Sequence, residues 1–555
     1  MRREGAARLS AAAVTFAVAL CLAASPARAE DPPSPAPTPA PTPAPTPAPS
    51  AAAMGAGGAW SYFSDPRAVQ VTTPRTLLYS GWVTSLGHIV AGVYDPATKR
   101  VSSMVLQNRL QNDDHDNPSV LALPDGRVTY FWNAHNGAFM YYRTTTRPGD
   151  IHSFGPLNTL QVKPSGDRLF TYSNPMLLPA EGNRLYLFWR SQFTHQAFAT
   201  SDDLGKTWSP ARILLEEPNQ RPYVKYAASN DTIAMAFTRS HPDESSTGIY
   251  YMSYWNNAFF RADGTAIGGM EELPFAPAQT ELVVDPAVLG GSAWVLDVAL
   301  GADGNPVIAY VATGETHRYH YVRFDGMQWH DTVLTDAGPG IAGDAREPSY
   351  SGGMALDHSD PTTAYLSRRV GDHNVVERWR TTDGGATFTS EAIAQDTSVD
   401  NLRPVVPLGL GPDDPVRTLW MSGTYRYFTD FATSIVGPPA VPPTPESTFV
   451  RISFPTPRVV ERQAARLSAR FFAVDSGHPA VDIEVTLFER RAGGLVWSRA
   501  GTAHTDTTGL VSFRHTIARD TELMIDWPGD ERWTPVQTSP VRVTALAPAF
   551  NPLRR

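Results

Sequence analysis

Histidines, tyrosines and arginines recur in this sequence beside the ends of short hydrophobic strands. His115 lies in Asp113-Asp114-His115-Asp116-Asn117-Pro118, just before the strand pattern Ser119 to Leu123. His135 follows the next pattern, Val128 to Trp132, within Asn133-Ala134-His135-Asn136. Antiparallel strands return, so a residue before the first strand and one after the second meet at the same edge of the sheet. Tyr172 and Arg190 bracket the next pair of strands in the same way. Arg221-Pro222-Tyr223-Val224-Lys225-Tyr226 and Thr238-Arg239-Ser240-His241-Pro242 bracket the one after that. Imidazole and phenol exchange protons, and guanidinium grips a carboxylate in two places. Each residue alone has a structural reading: a hydrogen-bonded surface histidine, a packed tyrosine, an ion-paired arginine. Several of them converging from consecutive strand pairs predict one polar, reactive mouth.

The elements that would position them are short strands in repeated units. Pro175 to Leu178, Arg184 to Phe188 and Ala197 to Thr200 read as three successive strands, with Leu185 and Leu187 on one face. The third runs into Ser201-Asp202-Asp203-Leu204-Gly205-Lys206-Thr207-Trp208, an S-x-D-x-G-x-T-W turn of the Asp-box type. Gly205 suits the tight turn, Asp203 suits the turn's amides, and Trp208 is expected to pack beneath its own hairpin. A second copy stands at Thr381 to Phe388 and a worn third at Phe324 to Trp329. Proline-headed strand starts recur at Pro118, Pro175, Pro222, Pro348 and Pro404. With a set near Trp294 to Leu300 and an opening one at Leu77 to Leu106, they fit a repeat of about 45 to 60 residues. The expectation is an all-β chain whose residues 56–437 form a β-propeller of about seven blades, radial closure protecting the sheet edges.

The chain has 555 residues, a formal charge of -9 and 42% hydrophobic residues. That length calls for more than one domain, and no basic cluster points to nucleic acid. Residues 1–29 read as a signal peptide, with Arg2, Arg3 and Arg8, an apolar run from Ala11 to Ala24, and Ala27-Arg28-Ala29 as cleavage site. The protein is therefore expected outside the cell. The only cysteine, Cys21, lies within that segment, which leaves no disulfide and no thiolate metal site in the remainder. No later stretch suits a membrane span. Residues 30–55 are a Pro/Ala/Thr-rich linker of extended polyproline type, and residues 438–447 form a second proline-rich joint. Residues 448–555 return to short alternating strands without Asp-boxes and are expected to form a small immunoglobulin-like β-sandwich, read as a spacer or stabilising module.

Taken together, DDHDNPSVLALPDGRV, YSNPMLLPAEGNRLYLFWR, SDDLGKTW, RPYVKYA and FTRSHPD resemble the BNR-repeat family that includes propeller-type polysaccharide lyases acting on ulvan. The resemblance covers roughly residues 60 to 435 and implies a seven-bladed propeller. Family lyases use a histidine and a tyrosine near the channel mouth, with an arginine that neutralises the substrate carboxylate. Carried onto this chain, it implies His115, Tyr172 and Arg190 as catalytic, with a neutral His115 and Tyr172 sharing the base and acid roles in either order. His135, Arg221, Tyr223, Lys225 and His241 would bind substrate. An acidic polysaccharide is the implied partner of a monomeric protein, and a structural divalent cation held by histidine or carboxylate remains open. Two other readings stand: a glycan-binding propeller without activity, and a sialidase-type hydrolase, for which no F-R-I-P-like motif is found.

Overall fold

The protein, a computed structural model, is described here for residues 52–547. Excepted are residue 56 and the stretches 161, 163–168, 192–193, 343–345, 395–397, 412–413, 415, 438–447, 454–457, 474–478, 495, 528–532 and 534–535. The expected signal peptide and proline-rich joint, and nearly all of the expected N-terminal linker, lie outside the described residues.

Seven antiparallel sheets follow one another among the described residues. Six are contiguous in sequence, at 58–107, 119–160, 171–216, 223–284, 292–338 and 354–392. The seventh joins strands from 400–437 to Ala52–Gly55, which pairs antiparallel with Asp430–Gly437. The ring of a β-propeller is thus closed by both ends of the propeller sequence. Residues 52–55, expected as the end of a linker, are instead its closing strand. Their sequence carries no strand alternation; backbone pairing places them, with Met54 buried in the propeller core.

One blade shows why these sequences make sheets that are buried on both sides. Every residue of Arg184–Ser191 after the first is buried. Leu185, Leu187 and Trp189 pack with Leu121 and Phe131 of the preceding blade. Tyr186 and Phe188 pack with Val224, Tyr226 and Met235 of the following one. Alternation along the strand therefore separates two apolar neighbours rather than core from water.

The turns at 201–208 and 381–388 are held by one aspartate each. Asp203 accepts from the Lys206 and Thr207 amides at 3.0 and 2.8 Å and from the Thr207 hydroxyl at 2.7 Å. Asp383 repeats the Thr387 contacts at 2.9 and 2.6 Å. The closing aromatic does not stay beneath its own hairpin. Trp208 donates to the Tyr142 hydroxyl at 3.3 Å, Trp329 stands edge-on to Tyr251, and Phe388 stands edge-on to Tyr321. Each tyrosine belongs to the third strand of the preceding blade, so these aromatics staple neighbouring blades together.

The axis of the ring is filled. Residues 60–67, which have no strand pattern, run among the innermost parts of the other six repeats. Trp60 Nε1 donates to the Arg403 carbonyl at 3.1 Å, the Ser61 amide donates to Asn117 at 2.9 Å, and the Tyr62 hydroxyl donates to the Ser351 carbonyl at 2.5 Å. The Phe63 ring lies 5.0 to 5.7 Å from Tyr172, Tyr223 and Trp294. Asp65 takes the Lys225 ammonium at 2.6 Å, and its amide donates to Asn174 at 3.1 Å.

The described residues of 448–546 form two further sheets, of three and six strands. They share one cluster that includes Leu467, Phe471, Leu487, Phe513 and Ile525. Ser498–His504 is a strand the sequence did not reveal, because its residues are mostly exposed or half-buried and carry no apolar alternation.

The axial segment yields a direct stability test. Phe63 is buried against three blades, so Phe63→Ala should lower unfolding free energy by about 3 to 5 kcal/mol. Chemical denaturation of the two proteins measures it. A loss under about 1 kcal/mol would mean the segment is not integral to the core.

Candidate active site

The mouth of the propeller is built by local backbone irregularities. Residues Asp114–Asp116 form a single tight turn, with the Asp113 carboxylate accepting the His115 amide at 2.9 Å. The Asp114 amide donates to the Phe428 carbonyl of the last blade at 2.8 Å. Tyr172 has φ of 61° and Arg403 has φ of 48°, a region bulky side chains seldom occupy. Both fall where strand register is interrupted, between Thr171 and Asn174 and between Leu402 and Val405. These bulges stand where the two strands contribute Tyr172 and Arg403 to the axis.

A cleft of about 280 Å³ opens there, floored by Ser61 and Tyr62 of the axial segment. His115 and His135 stack in it, ring centroids 3.9 Å apart and planes within 4°. The two oxygens of Asp113 divide between them: Oδ1 lies 2.6 Å from His115 Nδ1, and Oδ2 lies 3.0 Å from His135 Nδ1. Asp114 Oδ1 adds a second contact to His115 Nδ1 at 3.1 Å. On its other side His135 Nε2 meets Arg190 Nη2 at 3.3 Å. The Arg190 guanidinium sits 4.9 Å from the Tyr172 ring and 5.2 Å from the Tyr223 ring.

This arrangement splits the two imidazoles electrically. Burial by itself would depress the His115 pKa, but Asp113 and Asp114 overcome it and raise the value to about 9. Burial and the adjacent His115 charge push His135 down to about 4. Burial together with the Asp113 carboxylate pushes Asp116 up to about 9, so it stays protonated. Burial raises the Tyr172 phenol well above its ordinary range. At neutral pH His115 is therefore a cation and His135 the neutral ring. This corrects the expectation of a neutral His115: two carboxylates, not one, face its Nδ1.

Seven of the eight residues singled out in the sequence line the cleft: His115, His135, Tyr172, Arg190, Arg221, Tyr223 and His241. Lys225 does not. It points down the axis, where it is buried on Asp65 and beside the Phe63 ring. Arg221 is ion-paired with Glu244. His241 lies against Trp294, 4.6 Å between centroids, and burial followed by the Arg221 and Arg190 charges lowers it to about 3.

Residues 77–337 match the sequence profile of the BNR repeat-containing family. Among solved structures, an ulvan lyase described as a new family of polysaccharide lyase, bound to -[GlcA(1-4)Rha3S]-, is similar with a TM-score of 0.53. The two are 16% identical over 70% of this chain and 94% of that one. A second structure of an ulvan lyase, described in the same words as a new family of polysaccharide lyase, gives a TM-score of 0.53 at 15% identity, over 70% and 95% of the two chains. At such identities the likeness is one of fold. No curated protein matches the sequence.

In this propeller several cleft residues carried no signal of their own in the sequence. Trp294, Tyr350, Tyr427 and Phe428 line the cleft, yet they read as ordinary strand or rim aromatics. Asp113 was visible in the Asp113-to-Asp116 run, but its bridging of two rings depends on the fold. Among the described residues, two groups offer ligand atoms within 4.8 Å of one another: Asp113, His115 and His135, and His241, Asp243 and Glu347. In the first, a cation would have to displace the proton His115 holds. In the second, the Asp243 amide already donates to His241 Nδ1 at 3.2 Å, which leaves Nε2 facing Glu347 at 3.4 Å.

The split between the stacked rings has a measurable consequence. A folded-state pKa of about 9 for His115 lies above the ordinary 6.5. The interaction therefore stabilises the fold fully below pH 6.5 and is lost as pH rises through 9. Histidine NMR should show one ring still charged at pH 8 and its neighbour neutral at pH 6. Asp113→Asn removes the largest opposing charge and should bring His115 down by at least about one pKa unit, worth roughly 1.4 kcal/mol. Two rings titrating together near 6.5, unaltered by Asp113→Asn, would contradict the arrangement.

Proposed function

We propose that this protein is a polysaccharide lyase, exported through the signal expected at residues 1–29, that cleaves a uronate-containing glycan by β-elimination. The observation that carries the reading is the environment of His135. It is a neutral imidazole backed by Asp113 through Nδ1, with Nε2 turned toward the Arg190 guanidinium. A base, an anion-binding cation and a phenol thus meet within one cleft, as abstraction of a proton beside a carboxylate requires. The fold shared with an ulvan lyase supports the reading.

In this mechanism Arg190 binds the uronate carboxylate, and His115, charged beneath the stack, adds to the positive field. Both oppose the negative charge that grows on the carboxylate as the neighbouring carbon loses its proton. His135 Nε2 takes that proton. The electron pair forms the new carbon–carbon double bond, and the bond to the leaving sugar oxygen breaks. Tyr172, kept protonated by burial, gives its proton to that oxygen. Proton exchange with water then restores both groups. Because residues 60–67 fill the axis, substrate enters and leaves by the mouth.

The test incubates the protein with ulvan, other uronate polymers and a sialoside, following ultraviolet absorbance and reducing ends. Elimination gives both signals, a sialidase only the second, and a glycan-binding propeller neither. Export places the activity in the culture medium. Arg190→Ala should cut turnover about 100- to 1000-fold. His135→Ala and Tyr172→Phe should each cut it roughly 100- to 10000-fold. Polymer binding should survive the two proton-transfer changes. Parental elimination rates in a well-folded His135→Ala, Tyr172→Phe double variant would refute the assignment.

A further inference from the structure

We propose that the outer face of the three-stranded sheet Thr448–Ser453, Ala464–Ala473 and Leu510–Thr516 is a second binding site for a polyanionic polysaccharide, contacted by Arg466, Arg470 and Arg514. The inference rests on the lyase reading only for the class of ligand.

Strand alternation defines the face. Ala465, Leu467, Ala469 and Phe471 are buried, as are Val511 and Phe513, while Arg466, Arg470, Ser512 and Arg514 are exposed. Register then sets like charge against like. Arg466 pairs directly with Arg514, Ser468 pairs with Ser512, and the backbone of Arg470 pairs with that of Arg451. Like charges directly opposite one another destabilise a sheet, and a surface serving only solubility intersperses both signs. Among the described residues neither Arg466 nor Arg514 has an ion-pair partner. Arg470 reaches the Thr508 hydroxyl at 3.5 Å. The nearby Asp506 carboxylate is engaged by the Thr508 and Leu510 amides at 2.8 and 3.0 Å.

The shape and the wider charge agree. A shallow groove of about 360 Å³ runs along this face, lined by Arg466, Ser468, Ser512 and Arg514. Arg470 lies four residue steps along the strand from Arg466, about 13 Å, so the charges form a row with serine hydroxyls between them. Residues 448–555 hold 14 arginines, no lysine and 11 carboxylates, a positive balance in a chain of net charge -9. A polyanion is drawn to such a face. Guanidinium pairs match sulfate and carboxylate groups, and a second site on the same chain raises the effective concentration of polymer at the cleft.

The experiment is affinity electrophoresis of the full chain through gels containing ulvan, neutral dextran or duplex DNA. The chain carries His135→Ala so that the gel polymer is not degraded. Ulvan should retard it in a salt-sensitive manner, and dextran should not. The triple change Arg466→Gln, Arg470→Gln, Arg514→Gln should weaken ulvan retardation about 10-fold. It should leave the melting temperature unchanged or raised, because a like-charge contact is relieved. In an otherwise parental chain, the triple change should leave turnover of short oligomers intact. Undiminished retardation of the triple variant, or tighter retardation by DNA than by ulvan, would overturn the proposal. A parent that eliminates nothing, yet loses ulvan binding with the triple change, would sink the lyase reading and leave this site standing.

Discussion

The buried guanidinium of Arg403 joins the three parts of the chain on which the mouth of the propeller depends. It donates to Asp114 at 2.5 Å, to the Trp60 carbonyl at 2.6 Å and to the Tyr425 hydroxyl at 2.7 Å. Tyr425 in turn donates to Asp114 at 2.7 Å. These partners come from the axial segment, the turn that carries His115, and the blade that closes the ring. Arg403 and Asp114 are almost wholly buried, and removing one member of such a pair leaves an uncompensated charge, at a cost of about 3 to 5 kcal/mol. Ring closure, the filling of the axis and the placement of the reactive turn are therefore one event.

The chemistry of the cleft follows from that fixed turn. Asp113 is held where its two oxygens serve two imidazoles, and stacked rings 3.9 Å apart disfavour a shared positive charge. Asp114 tips the balance because, of the two rings, it is His115 that it contacts. The proton settles there, and His135 remains neutral beside Arg190. Asp116, next to the Asp113 charge, stays protonated while accepting the His135 amide at 2.7 Å. Two like side chains thus acquire opposite roles from their surroundings, the logic by which paired groups divide acid and base work.

The legible parts of the sequence were the local ones. Hairpin geometry alone brings His115 to His135 and Tyr172 to Arg190, since both ends of a returning pair share one edge. The same reasoning misplaced Lys225. It shares a strand face with Tyr223 but lies two residues deeper, where its partner Asp65 comes from a segment 160 residues away. Residues 60–67 were hidden for the same reason: they have no strand period, and the partners that fix them to the blades are distant in sequence. Trp208, Trp329 and Phe388 were recognisable as turn residues, but their tyrosine partners belong to the preceding blade. The charge on His115 was hidden too, because DDH shows two carboxylates without showing that both face one nitrogen.

Whether this cleft eliminates or hydrolyses can be read from where the atoms of water go. Elimination breaks the glycosidic bond without adding water, and the new end carries a carbon–carbon double bond. Digestion of an acidic polysaccharide in water enriched in heavy oxygen, followed by mass spectrometry, separates the outcomes. A lyase gives unlabelled fragments, each pair lighter by one water than the corresponding hydrolysis products. Heavy oxygen built into the newly formed ends, with no unsaturated uronate, would contradict β-elimination at this site.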